Sequence, residues 1–442
     1  MMRALVVSIW VFINLVFFGM CGYMYLLWSQ YWMYIENQTP TAVYNYDQQI
    51  YYYNRGYPPG YFNDSMKLSN YSIERRKRIK HATKENPITI IKNSKPRFPN
   101  LQNADFKMDS PKFKCLRNDS TNDCDIKNVA YKEQLLKELK RVFMEESNVL
   151  RNKNKNPYNL KYNGSKGSFM NKNTEEVLCR FKDIQIKTIK RTDYPFSKNV
   201  FKDYLPKKDL FENKHFDTCA IVASAGSLKN SHLGNLIDSH NLVLRFNHAP
   251  TEGYESDVGE KTTFRILNSQ VVTKPEFKFL NSELYRNITL LAWDPSNFTA
   301  SLEDWYQQPE FNLFPNYLEH RKKYRRTKFF LLNPKTLWDL WIFLQKNSPN
   351  QLRRNPPSSG FLGLAVLLPH CDYVDMFEYI PSVRVTRKCH YYDVEDNPAC
   401  TFGVWHPLAA EKLLAYSLNV ASDKTVFQTG YIRIPGFKNV HC

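Results

Sequence analysis

The sequence predicts an α/β fold: a three-layer α/β/α sandwich around a mostly parallel sheet, behind an N-terminal transmembrane helix. Three observations predict it. Continuous apolar runs of strand length recur at residues 219–224, 242–246, 262–267, 288–293, 328–332 and 373–379. Segments with helical spacing at 229–238, 336–345, 360–368 and 408–418 separate or follow them. Residues 4–28 are almost wholly apolar, interrupted only by Ser8 and Asn14. Apolar runs without alternation are the pattern of strands buried on both faces, and intervening helices supply the crossovers that parallel strands need.

The apolar segment 4–28 exceeds the roughly 20 residues a helix needs to cross a bilayer. A cleaved signal peptide is the rival reading, but its apolar region runs only about 7–15 residues and ends at a small-x-small site, which is missing here. Trp28, Tyr31, Trp32 and Tyr34 follow as an interfacial aromatic belt. Arg3 precedes the span, and no Lys or Arg occurs from Ser29 to Asn54. The positive-inside rule therefore expects a cytosolic tail at 1–3, a signal-anchor at 4–28 and everything beyond it in a lumen.

With 61 Lys and Arg against 43 Asp and Glu, the formal net charge is +18. A basic chain suggests nucleic acid, an anionic membrane or an acidic ligand. Lumenal topology excludes the first. Asn-x-Ser/Thr acceptors stand at Asn37, Asn63, Asn70, Asn118, Asn163, Asn287 and Asn297. Beyond Cys21 in the span there are eight cysteines: Cys115, Cys124, Cys179, Cys219, Cys371, Cys389, Cys400 and Cys442. An even number suits disulfides in an oxidising compartment, and sequence leaves their pairing open.

Residues 29–173 read as a lumenal stem, largely disordered, because a polar composition rich in Tyr, Asn, Pro and Gly cannot bury enough surface to offset ordering entropy. Two islands interrupt it. Leu135, Leu139, Val142, Phe143 and Leu150 recur at near-helical spacing within 131–150, which predicts an amphipathic helix, either packed on a folded domain or partner, or solvated. Arg75-Arg76-Lys77-Arg78 resembles a processing site whose cleavage after Arg78 would release a secreted form; a solvated charge run is the plainer reading. Residues 174–442, where apolar runs and helical segments alternate, are expected to form the folded domain that carries any chemistry.

Five segments could carry chemistry. At Ser224-Ala225-Gly226-Ser227 a buried strand enters a Gly/Ser turn and then a helix, where free amides favour phosphate; a structural turn gives the same pattern. Asn247 and Asn268 each end a strand, and carboxamides suit a ribose, a base edge or a phosphate; caps or turns explain lone strand-end asparagines equally. Pro356-Pro357-Ser358-Ser359-Gly360 sets a hydroxyl at a helix start, as an anion cradle or as a plain cap. His390 opens His390-Tyr391-Tyr392-Asp393. His406 precedes Pro407 at another helix start, a setting that keeps imidazole neutral and able to take a proton, or merely caps the helix.

Taken in order and spacing, these segments resemble the four sialylmotifs of the animal-type sialyltransferase family: the large motif from Cys219, the small motif from Pro356, the third motif at His390 and the very small motif from His406 to Glu411. The likeness runs from about Cys179 to Cys442. It is most like the β-galactoside α-2,6 branch, through Leu244-Arg-Phe-Asn-His-Ala-Pro, Trp293-Asp-Pro-Ser, Trp305-Tyr-Gln and the closing Pro435-Gly-Phe-Lys-Asn-Val-His-Cys.

The resemblance implies a metal-independent variant of the GT-A-type glycosyltransferase fold and a Golgi membrane enzyme. It would move sialic acid from CMP-sialic acid to the 6-hydroxyl of a terminal galactose, or N-acetylgalactosamine, on glycoprotein glycans. It implies no cofactor and no metal, and the single Asp-x-Asp, Asp123-Cys124-Asp125, falls in the stem. His406 matches the catalytic base and His390 the third-motif histidine. Ser224, Asn247, Asn268, Ser358, Ser359, Gly360 and Thr401 match donor-binding positions. Gln270, Glu310, Phe311, Asp393 and Trp405 match the acceptor side. At four of these the chain departs from vertebrate α-2,6 enzymes, with Glu310 for Asp, Phe311 for Tyr, Asp393 for Gln and Trp405 for Tyr. The implied disulfides are Cys179–Cys442, Cys219–Cys371, Cys389–Cys400 and Cys115–Cys124, and Glu411 is expected to support the His406 loop. The alternatives are a sialyltransferase of another linkage or acceptor, a type II glycosyltransferase of another donor, and an inactive lectin or scaffold. Sequence does not give the oligomeric state.

Overall fold

The computed structural model describes residues 110–153, 156–165, 167, 173–396 and 405–442, with the side chains of 110–111 and 145–153 left aside. The span at 4–28, the Arg78 site, Asn37, Asn63, Asn70, Cys400 and Thr401 lie outside the described residues, as does the side chain of Leu150. Among the described residues no helix is long and apolar enough to cross a membrane.

Seven strands form one sheet: β1 (Phe216–Val222), β2 (Leu242–Phe246), β3 (Phe264–Asn268), β4 (Thr289–Trp293), β5 (Phe329–Leu331), β6 (Cys371–Phe377) and β7 (Tyr431–Pro435). Their order is β5-β4-β3-β2-β1-β6-β7. All neighbours are parallel except β6 and β7. The chain steps outward from β1 to β5 and then returns to lay β6 on the far side of β1. The carboxyl ends flanking this reversal form the crevice where open α/β sheets bind ligands.

The continuous apolar runs are explained by burial on both faces. Along β1, Cys219 and Ile221 join one core cluster while Ala220 and Val222 join another. Along β4, Leu291 and Trp293 face the first cluster, and Leu290 and Ala292 a third. The first face is covered by α1 (Thr121–Lys153), α2 (Thr174–Lys182), α7 (Lys335–Lys346), α8 (Ser359–Leu367) and α9 (Leu408–Ser417). The other is covered by α3 (Gly234–Asp238), α4 (Ser269–Thr273), α5 (Leu302–Gln307) and α6 (Phe314–Lys323). The result is a helix–sheet–helix sandwich, an α/β fold. Helix α8 is apolar all round and buried from Phe361 to Leu367, as expected of a helix pressed between sheet and outer helices.

Three expectations change. The helix read at 229–238 is only Gly234–Asp238. The Asp257 carboxylate accepts the backbone amides of Asn230 (2.7 Å) and His232 (3.0 Å), and both residues sit in the left-handed region, so 229–233 is a pinned loop. Strand β7 went unread because its Ile432 and Ile434 alternate with half-exposed residues on an antiparallel edge. Third, α1 belongs to the folded unit although its composition reads as stem. Tyr131, Leu135, Leu139, Val142 and Phe143 are buried in the main cluster, and the Tyr131 hydroxyl donates to the Ser382 carbonyl at 2.6 Å. Periodicity predicts the helix, but only tertiary contacts reveal what it faces.

The structure pairs Cys115 with Cys124, Cys179 with Cys442 and Cys219 with Cys371. The last of these ties β1 to β6 across the chain reversal. Cys389 is also disulfide-bonded.

Candidate active site

Four parallel strand ends, β4-β3-β2-β1, line one edge of the sheet, with β6 beyond them. After β1, Ala225 forms an antiparallel bridge with His390, and the Tyr391 amide donates to the Ser224 carbonyl at 3.1 Å. The Tyr392 hydroxyl bonds the Ser224 side chain. Gly226 serves this docking: a Cβ there would stand 2.5 Å from the Lys388 carbonyl oxygen. The turn continues as a short 3-10 helix, Gly226–Leu228, so the α-helical anion cradle expected after Ser224 is not formed.

Asn247 follows β2 at φ 48°, a left-handed conformation that asparagine tolerates. Its carboxamide oxygen accepts the Asn268 amide at 3.0 Å. The Asn268 oxygen in turn caps α4 through the Val271 amide at 3.1 Å. Both oxygens are thus committed to backbone, and among the described residues neither NH2 group has a partner. The pair offers donors, which fits an acceptor-rich, anionic ligand. Buried Arg265 stiffens the turn by donating to the carbonyls of Asn247 (2.8 Å) and Ala249 (3.1 Å).

A second cluster gathers around the starts of α8 and α9. Ser358 caps α8, accepting the Phe361 amide at 3.2 Å. Its own amide (2.8 Å) and hydroxyl donate to the buried Glu411 carboxylate, which also accepts the Tyr379 hydroxyl at 3.0 Å. Burial pushes the Glu411 carboxyl up, against these bonds. Glu411 therefore anchors α8 to α9 and to the end of β6. The Ser358 hydroxyl proton is thus committed to Glu411. The Ser359 hydroxyl accepts the Trp293 indole N–H at 2.9 Å and keeps its own proton to give. A Cβ at Gly360 would meet the Tyr379 ring at 2.7 Å, so this glycine permits close packing.

His406 bonds through Nδ1 to the Pro356 carbonyl oxygen at 2.8 Å. A carbonyl only accepts, so Nδ1 carries the proton and Nε2 carries a lone pair. Burial pulls the pKa of His406 down to about 4, against the stabilising bond to Pro356. The ring is an oriented, neutral base. Trp405 packs edge-on against it at 4.5 Å, and the Trp293 ring lies 6.4 Å away. The Asn355 carboxamide donates to the Trp405 carbonyl at 2.7 Å. Residues 355 and 356 thus hold 405 and 406 at two points.

Beside this, Asp294 follows β4 and organises the segment bearing Glu310 and Phe311. Its carboxylate accepts the Trp305 indole N–H (2.9 Å) and the amides of Glu310 (2.9 Å) and Phe311 (3.1 Å). Glu310 accepts the Tyr158 hydroxyl at 2.7 Å. Burial raises Asp294 to about 6, and burial with the neighbouring Asp294 charge raises Glu310 to about 7. Phe311 lies near the Lys274 ammonium, 6.0 Å from the ring centre. Gln270 sits half-buried on α4, next to Asn268.

The geometry gathers Ser224, His390 and Asp393 at one end, Asn247 and Asn268 beside them, and Ser358, Ser359, Gly360, Trp405 and His406 around the start of α8. Glu310 and Phe311 are held together by Asp294. Asn118, Asn163, Asn287 and Asn297 are exposed. Sequence reasoning missed Asp294, Asn355 and Tyr158 as site residues. Asp294 directly follows a predicted strand and Asn355 precedes Pro-Pro, both readable signals; Tyr158 carries none.

The chain matches glycosyltransferase family 29 (sialyltransferase) over residues 165–422. It is 46% identical over 292 residues to β-galactoside α-2,6-sialyltransferase 2 of Xenopus tropicalis, covering 65% of this chain and 56% of that one. Against the Homo sapiens protein of that name, identity is 41% over 290 residues, covering 65% and 54%. Against β-galactoside α-2,6-sialyltransferase 1 of Homo sapiens it is 42% over 289 residues, covering 65% and 71%. The match thus spans just over half the length of the first two relatives. A crystal structure of a mammalian sialyltransferase aligns with a TM-score of 0.36 at 21% identity, covering 59% of this chain and 90% of that one. The chain belongs to glycosyltransferase family 29, the sialyltransferases.

Proposed function

We propose that the chain transfers sialic acid from CMP-sialic acid to the 6-hydroxyl of a terminal galactose, or N-acetylgalactosamine, on glycoprotein glycans, in one inverting displacement. The observation that carries this reading is His406: neutral, tautomerically fixed by Pro356, with Nε2 left to accept a proton. Family membership and relatives named β-galactoside α-2,6-sialyltransferase support the donor, acceptor and linkage.

His406 Nε2 takes the proton of the acceptor hydroxyl. That oxygen bonds to the anomeric carbon as the bond from that carbon to the CMP phosphate oxygen breaks, through an oxocarbenium-like transition state. CMP leaves with the electron pair. His390, the NH2 groups of Asn247 and Asn268, and the Ser359 hydroxyl stabilise the growing phosphate charge, the electrostatic form of catalysis. Ser224 and Thr401 complete the donor site, while Ser358 and Gly360 act by shaping the start of α8. Gln270, Glu310, Phe311 and Trp405 receive the acceptor sugar. The reaction is metal-independent, because CMP departs with a single phosphate.

On this reading the sheet is the metal-independent GT-A variant. Residues 4–28 anchor a type II protein in the Golgi membrane, with 174–442 as the lumenal catalytic domain joined by helix α1. The test is linkage analysis of the product from paired galactose- and N-acetylgalactosamine-terminated acceptors. An α-2,6 product is expected; an α-2,3 product or none on either acceptor overturns the reading.

A further inference from the structure

The Asp393 carboxylate is turned toward His390. A single oxygen, Oδ2, accepts both the backbone amide of His390 and its ring Nδ1–H, each at 2.9 Å. The His390 ring lies parallel to Tyr392 at 5.0 Å with an interplanar angle of 2°. Its backbone is bridged to Ala225 at the end of β1. Backbone and ring are therefore fixed from three sides.

We propose that Asp393 is a positioning residue that forms a dyad with His390 and commits Nδ1 as the protonated nitrogen, leaving Nε2 to meet the donor's phosphate. This rests on the function proposed above. A carboxylate can only accept, so the bond at Nδ1 excludes the tautomer in which Nε2 alone is protonated. Nε2 then donates to a phosphate oxygen only as the imidazolium, whose charge the adjacent carboxylate balances. A carboxamide oxygen in the same place would accept both protons but bring no charge to balance the imidazolium. The other groups facing His390 are the Tyr392 ring, His248, whose ionisation is disfavoured by burial first and then by His390 and Arg265, and the Sγ of Cys389 at 3.6 Å from Nε2. Cys389, His390 and Asp393 are close enough to hold a metal ion, but Cys389 is disulfide-bonded and has no thiolate to offer.

Asp393 also caps the turn at the His390 amide, and asparagine preserves that acceptor. Asp393→Asn therefore keeps the acceptor oxygen and removes only the negative charge that balances the imidazolium. In the full chain, calorimetric binding of CMP is expected to weaken about tenfold in Asp393→Asn, as for losing a hydrogen bond to a charged group. The acceptor KM and the melting temperature should hold. His390→Gln should lose a similar amount, and the double variant no more than either single one, because one interaction is being removed. Additive losses, or a raised acceptor KM with CMP binding intact, would overturn the dyad. Nitrogen-15 spectra of the histidine-labelled full chain read the tautomer without any substrate. A neutral His390 protonated at Nε2 in the parent chain defeats the dyad even if transfer occurs. The Nδ1 form without CMP binding defeats the proposed function instead.

Discussion

The carbonyl oxygen of Pro356 accepts the Nδ1 proton of His406 at 2.8 Å, and this one bond decides which nitrogen of the ring can act as a base. Because burial holds the pKa at about 4, His406 is already deprotonated at mildly acidic pH. The group is in its active form above that pKa and loses it only as pH falls through about 4. The His406 limb of kcat/KM is therefore expected near pH 4; a limb near pH 6.5 that vanishes in His406 variants would show an unperturbed ring.

Asn355 fixes the carbonyl of Trp405, one residue before the base. Asn355→Leu should lower kcat by about tenfold to a hundredfold, the scale of one lost, well-placed hydrogen bond in a preorganised site. CMP affinity should be unchanged. Equal losses in CMP binding would mean that the substitution disturbs α8 rather than the base.

Glu310 titrates near pH 7 through its burial and the Asp294 charge. Its carboxyl is protonated below that value and ionised above it, so the acceptor KM should change across pH 6–8 while the donor KM stays flat. Glu310→Gln, fixed in the uncharged state, should abolish the change. Glu310→Asp with Phe311→Tyr, which shortens the carboxylate and adds a ring hydroxyl, should shift preference toward galactose. Comparing acceptor KM values for the two sugars checks both.

Helix α1 buries Tyr131, Leu135 and Leu139 completely or nearly so. A chain beginning at residue 174 is expected to unfold or aggregate, whereas one beginning at 110 retains this packing. Leu139→Ala should cost about 2–5 kcal/mol, the range for deleting a buried leucine side chain. Thermal denaturation measures it; a loss under about 0.5 kcal/mol, typical of a surface site, would mean that α1 is peripheral to stability.

The inner strands were legible because burial on both faces leaves an unbroken apolar run, as at Leu242–Phe246, where reading and structure coincide. The start of α8 was legible from Pro-Pro followed by serine. Long-range relations were not legible. Nothing local marks Tyr158, in a segment read as stem, as the partner of Glu310 across 152 residues. Nor does Asp257 announce that it will pin the amides of residues 230 and 232 and shorten the helix read there. His390 and His406 were found by motif, but the His406 tautomer depends on Pro356, which only the fold brings into contact, while Asp393 lies three residues from His390 and its role was hidden only in the turn's geometry.

The most direct measurement is transfer from CMP-sialic acid to a galactose-terminated acceptor by the purified full chain in EDTA, with His406→Ala alongside. Transfer that persists in chelator and falls at least a hundredfold in the variant, within the range for loss of a general base, is the expected result. Undiminished transfer by His406→Ala, or transfer that stops in EDTA and returns with a divalent cation, would contradict the metal-free His406 mechanism.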